Sequence, residues 1–165
     1  MATSSFYKFN QFVEDIGKAL HSLATGGDSI YVLLTNTVPN VADTVVDTSV
    51  SPCVVKATSN ASEIAPGNGY TKLGAQVTSQ NYIQTSGTAK FYGVKVTWTC
   101  ATANMATFRY AVVYNNTKGT SATRPVIGWF DYGGAVTLTP GETFTVGNSN
   151  DGTDWTSTYP MFTLA

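Results

Sequence analysis

One helical period, and only one, runs through this chain. Phe6, Phe9, Phe12, Val13, Ile16, Leu20 and Leu23 recur at spacings of three and four, which on a helix lays them in a single stripe. Lys8, Glu14, Asp15, Lys18 and Ser22 fall largely on the other face. After Gly27 the pattern does not return. Apolar residues come instead in short, β-branched runs cut by Gly, Pro and Asn, which is the spacing of strands and turns. With no helix alternating between those runs, the chain lacks the crossovers that a parallel α/β sheet needs.

The spacing predicts a helix over residues 6–23, with Ser4 or Ser5 as N-cap and Thr25-Gly26-Gly27 as its stop. Strands are expected at Ser29 to Asn36, Phe91 to Cys100, Thr107 to Tyr114, Pro125 to Tyr132 and Tyr159 to Leu164. Thr107 to Tyr114 is bulky on both faces and reads as a central strand covered on both sides. Val136 to Thr139 and Glu142 to Val146 are expected to form a hairpin, because Pro140-Gly141 is type II turn chemistry. Val38 to Gly74 reads as long loops with one or two edge strands, and Gly147 to Ser157 as a further loop. The fold class is therefore mainly β: an antiparallel β-sandwich, jelly-roll-like, with one N-terminal amphipathic helix. The organisation expected is a helical arm over residues 1–27 and a sandwich body over residues 28–165.

Composition narrows the function. Thr is abundant, at 26 of 165 residues, and favours strands. Charged residues make up 12% of the chain, about half the usual share. Nine basic against ten acidic side chains leave no cationic excess, so nucleic acid is not an expected partner. The first residues lack the apolar core of a secretory signal, and no apolar run approaches the roughly 20 residues that span a bilayer. Neither a leader nor a membrane association is expected. Cys53 and Cys100 match no metal-ligand spacing and read as reduced thiols behaving as small hydrophobes, Cys100 at an inward-facing strand position, with a disulfide between them as the alternative.

No residue grouping names a reaction. His21 is the single histidine, so any Ser-His-Asp or Cys-His arrangement must use it, yet no nucleophile motif accompanies it. It reads as a solvated or interfacial helix residue. The stretch Asn148 to Asp154 is rich in oxygen ligands but fails the calcium-loop register, lacking a ligand at position one and a Glu at position twelve. Gly26-Gly27 and Gly67-Asn68-Gly69 precede no helix pattern and read as turns rather than phosphate cradles. No catalytic residue, cofactor or metal is expected, and the chain does not read as an enzyme. Tyr82, Trp155 and Tyr159 lie in or near loops, where rings either stack on sugars, anchor a protein interface or plug the ends of the body.

A family resemblance adds to this. The segments FNQFVEDIGKALHSL, SIYVLLTNTVP, EIAPGNGYT, FRYAVVYNNT and PVIGWFDYGGAVTLTPGETFTV, in that order between Phe6 and Val146, resemble the capsid decoration (cement) proteins of tailed bacteriophages. The insertion over residues 46–62 and the tail from Gly147 onward match less well. The resemblance implies a jelly-roll-like homo-oligomer on the outer surface of a phage head. Its partner would be the major capsid protein and its assembly site the host bacterial cytoplasm. Phe6, Phe9, Phe12, Ile16, Leu20 and Leu23 are the candidate interface, since such a stripe must meet its own body, a neighbouring copy or the capsid. A tail-associated or carbohydrate-binding module is the rival reading.

Overall fold

The computed structural model describes residues 5–165 and is mainly β, with antiparallel sheets and one short helix. Its spine is three adjacent strands: β2 (Ile30–Thr35), β10 (Phe108–Asn115) and β11 (Arg124–Val136). β10 lies between the other two, antiparallel to both, with Tyr110 opposite Thr35 and Val112 opposite Trp129. Its residues from Tyr110 to Asn115 are all buried, as expected of a strand covered on both faces.

Alternation along these strands divides the apolar side chains between two cores. On one face lie Ile30, Val32, Leu34, Phe108, Ala111, Val113, Ile127 and Phe130. Two small sheets cover them: β9 (Val96–Thr99) with β12 (Thr143–Val146), and β7 (Asn81–Thr85) and β8 (Thr88–Tyr92) with β13 (Phe162–Leu164). On the opposite face lie Leu33, Tyr110, Val112, Tyr114, Val126 and Trp129. Here the cover is β3 (Val45–Asp47), β4 (Val54–Lys56) and β5 (Ala61–Ser62), which extend the large sheet beyond β11. That strip curls back until Glu63 bridges Thr35 and the Ile64 N–H bonds the Leu34 carbonyl at 2.9 Å. The sheet thereby closes on itself around the second core, with β6 (Ala75–Gln76) also attached to β2.

Glu63 fastens the closure. Its buried carboxylate accepts the Tyr70 hydroxyl at 2.8 Å and the Cys53 N–H at 3.0 Å, while the Tyr70 oxygen accepts the Leu34 N–H. Burial, with the Glu63 charge beside it, pushes the Tyr70 hydroxyl pKa far above its usual range. Residues 38–74 thus supply three strands woven into the large sheet, where sequence spacing suggested loops and one or two edge strands. Their brevity hides them: a three-residue strand shows too little alternation to be read.

The N-terminal segment also departs from expectation. Phe6 lies in a strand, β1 (Phe6–Lys8), which pairs antiparallel with β11 so that Phe6 faces Phe130 and Tyr7 faces Trp129. Gly128 makes room for it: a Cβ there would lie 2.3 Å from the Phe6 ring and 2.5 Å from the Tyr7 carbonyl. The helix, α1, covers only Asn10–Gly17, so the predicted span of residues 6–23 is corrected to eight residues. Phe9 is its N-cap residue and offers no side-chain cap. Ser4 lies outside the described residues, and Ser5 precedes β1.

The helix stops through a Schellman arrangement. Ala19 takes a left-handed φ of 55°, its N–H bonding the Ile16 carbonyl and the next N–H, of Leu20, bonding the Asp15 carbonyl. Leu20 and Leu23 therefore lie beyond the helix, and Thr25-Gly26-Gly27 does not end it. Since β1 belongs to the large sheet and α1 packs against β11, residues 5–27 are continuous with the body.

Two further expectations change. The run from Phe91 to Cys100 is broken at Gly93–Lys95: Phe91 faces inward before the break, and Val96, Trp98 and Cys100 face inward after it. At the break a Gly93 Cβ would meet the Val77 side chain at 2.8 Å, and Trp155 bonds the Gly93 carbonyl. The Pro140-Gly141 turn forms, closed by the Glu142 N–H on the Thr139 carbonyl with Gly141 at φ 90°. Its two arms do not pair; β12 pairs with β9, Phe144 opposite Trp98.

Candidate functional site

The stripe singled out in the sequence is divided between the two cores. Phe9 is fully buried in the closed core, its ring 4.7 Å from that of Trp129. Phe12 and Leu23 are buried in the other core, with Phe6 and Ile16 packed partly buried against it; Leu20 is half-buried. Phe6 stacks on Phe162 at 5.2 Å, and Phe12 meets the same ring edge-on at 5.4 Å. A strand that turns into a helix at Phe9 places Phe6 and Phe12 on one side of the sheet edge and Phe9 on the other. Fully buried, each ring is worth roughly 1.5–3 kcal/mol, which fastens the segment to its own chain.

What the segment leaves outside is different. Val13, on the outer side of α1, is 61% exposed, and Val38 and Val41 are 58% and 48% exposed. The Val41 carbonyl accepts the Asn10 N–H at 2.9 Å, which draws the loop after β2 to the start of α1. Val13 lies one turn further along the same helix. Tyr7 is 47% exposed while its ring stacks on Trp129 at 5.4 Å. These apolar side chains, on and near the N-terminal segment, keep about half of their surface exposed within the described chain, and hydropathy spacing missed Val38 and Val41 because they belong to no periodic element.

Of the loop aromatics, Trp155 is buried and stacked on Phe130, so its face is unavailable to a ligand. Tyr82 packs partly buried against the core, and Tyr159 is exposed. The 147–157 loop is organised by Asn148, whose amide donates to Asp151, Thr153 and the Asp154 carbonyl. A cleft beside this loop is lined by Arg109, Ala111, Phe130, Tyr132, Phe144 and Val146. Arg109 is committed to a bidentate pair with Asp131 at 2.8 and 2.9 Å, which holds the Asp131 carboxyl below its usual range.

His21 is not solvated. Its side chain is wholly shut from solvent, against Phe12 and between Asp15 and Asp28. The chain leaves the helix after Gly17, so His21 is not a helix residue. Cys53 and Cys100 are free and buried in different cores, Cys53 in the closed core and Cys100 in the other. Burial, aided by the Glu63 carboxylate, pushes the Cys53 thiol up to about 12. Among the described residues, no three His, Cys, Asp or Glu side chains gather as metal ligands, and no helix is long and apolar enough to cross a membrane. The sequence matches no family model and no curated protein, and the structure matches no solved structure.

Proposed function

We propose that this chain is a structural protein of a phage particle, a decoration or cement protein that binds the outer surface of the capsid and stabilises the shell. The observation that carries the reading is the set of exposed apolar side chains, Tyr7, Val13, Val38 and Val41, on the N-terminal segment and the loop bonded to its helix, in a body whose other large side chains are mostly engaged. The ordered sequence segments that resemble decoration proteins supply the identity of the partner, the major capsid protein, and homo-oligomerisation is part of the same reading. The low charge and the absence of a recognisable catalytic motif in the sequence suit a protein that works by contact. In this reading the body is a jelly-roll-like sandwich whose first core lies between the large sheet and the two small ones.

Stoichiometry in purified particles tests the proposal. A shell protein is expected in amounts comparable to the major capsid protein on a quantitative gel. A trace amount would overturn the shell reading and favour a tail-associated module. Val13→Asp with Val41→Asp should leave the isolated protein folded and abolish its addition to bare shells. Decoration equal to that of the parent would exclude this face.

A further inference from the structure

His21 sits in a polar cluster whose hydrogen bonds fix its protonation state. Asn115, at the end of β10 and fully buried, holds one orientation: its Oδ1 accepts the N–H groups of Thr117 and Lys118 at 2.9 and 3.2 Å, and its Nδ2 donates to Asp28 Oδ2 at 2.8 Å. The second Nδ2 hydrogen points to His21 Nδ1 at 3.1 Å. Nδ1 must therefore be the acceptor, and the ring proton is on Nε2. Nε2 has no hydrogen-bond partner among the described residues and faces Asp15 Oδ2 at 3.8 Å.

The same cluster holds the segment that follows the helix. Asp28 Oδ2 also accepts the Ser22 N–H, and the Asp28 N–H bonds the Ser22 carbonyl. Gln80 donates to the Asp28 carbonyl. Residues 19–28 are thus tied to the end of β10 through His21 and Asp28, and Leu23 within them and Phe12 beside His21 reach the core. We propose that the His21–Asn115 bond is an acid-sensitive latch that holds residues 19–28, and with them the covering over Phe12, against the body.

The reason is donor arithmetic. A second ring proton places an N–H on Nδ1 opposite the Asn115 amide, donor against donor. Asn115 cannot turn its oxygen to meet it without losing the Thr117, Lys118 and Asp28 bonds. The charged groups around the ring are Asp15 from α1, whose other oxygen takes a bond from Gln11, and Asp28, whose Oδ1 lies 3.6 Å from the Lys118 ammonium. Both carboxylates favour the imidazolium, but burial outweighs them and lowers the His21 pKa. The sign follows: a histidine kept neutral in the closed form stabilises it above about pH 6.5, and that contribution is lost as pH falls from there toward the folded-state pKa. Between those limits the opening constant of the segment rises up to about tenfold per pH unit. This inference is independent of the capsid reading.

With one histidine in the chain, the imidazole signals are unambiguous. The test is an NMR titration of the full chain, read at the ring nitrogens and as amide exchange of residues 19–28, with exchange corrected for its intrinsic pH dependence. Expected are the Nε2–H tautomer, a pKa below 6.5, and loss of protection in residues 19–28 but not in β10 as the ring titrates. A pKa at or above 6.5, the opposite tautomer, or protection that stays flat through the titration would overturn the latch. His21→Gln should make the exchange of residues 19–28 insensitive to pH; the same pH dependence in that variant would also overturn it. The parent titration stands without any variant having to fold.

Discussion

Phe9→Ala probes the joint on which the N-terminal segment turns. Phe9 has no exposed surface, packs on Trp129 at 4.7 Å, and lies in the closed core apart from its neighbours Phe6 and Phe12. Truncation removes the transfer energy of the ring and its aromatic contact, and leaves a cavity that a closed sheet is poorly placed to collapse. Phe→Ala changes in cores cost about 3–5 kcal/mol, a large part of the roughly 5–15 kcal/mol that a domain possesses. For a chain of this size that lowers the melting midpoint by roughly 10 °C. The matched control is Val13→Asp. A continuous helix over residues 6–23 would put Phe9 and Val13 on one stripe and make both costly. In the structure Val13 faces outward and Asp suits the first helical turn, so that change should stay within about 0.5 kcal/mol. Thermal and urea melts of the two variants decide the matter. A Phe9→Ala protein melting within about 2 °C of the parent, or a Val13→Asp protein falling as far as Phe9→Ala, would refute the packing argued here.

Other changes test other joints. Gly128→Ala drives a methyl group into the Phe6 ring and the Tyr7 carbonyl, and should cost about 1–3 kcal/mol while shifting the fluorescence of Trp129, on which Tyr7 stacks; an unchanged melt and spectrum would contradict the close approach of β1. Ala19→Gly should raise the urea midpoint, because it relieves about 1 kcal/mol of left-handed strain at the helix stop, and a lowered midpoint would count against that geometry. With Cys53 pushed up to about 12 and both thiols buried, Ellman's reagent at pH 8 should find no thiol in native protein and two after unfolding; prompt native labelling would disprove the burial.

How much of this could be read from the sequence depended on whether a signal was local. β2 and β10 announce themselves by dense β-branched and aromatic runs, and the alternation from Val96 to Cys100 is borne out by their burial. The N-terminal segment misleads because Phe6, Phe9 and Phe12 keep a helical spacing while the chain is extended at Phe6. The three rings serve two cores, a division that appears only once β11 lies between them. The helix stop is disguised too, since Ala19 takes the left-handed position usually held by Gly, while Gly26 and Gly27 stand nearby doing something else. The Pro140-Gly141 turn was legible as chemistry, but not its partner, because pairing of β12 with β9 is decided by the first core. Val38 and Val41 carry no periodic signal at all. The cluster around His21 draws residues from four separate stretches of chain, and no spacing rule connects them.

The stacking of Phe6 on Phe162 has a consequence during synthesis. β1 is synthesised before both of its partners, since it needs β11 for its hydrogen bonds and β13 for its ring contact. At ordinary translation rates, Phe6 emerges on the order of ten seconds before its last partner. Until β11 and β13 are made, Phe6, Phe9 and Phe12 form an uncovered aromatic tether on a nascent chain, a natural target for holding chaperones. Final closure therefore waits on β13, and a nascent chain stalled before β11 would hold first aromatic residues that have nowhere to go.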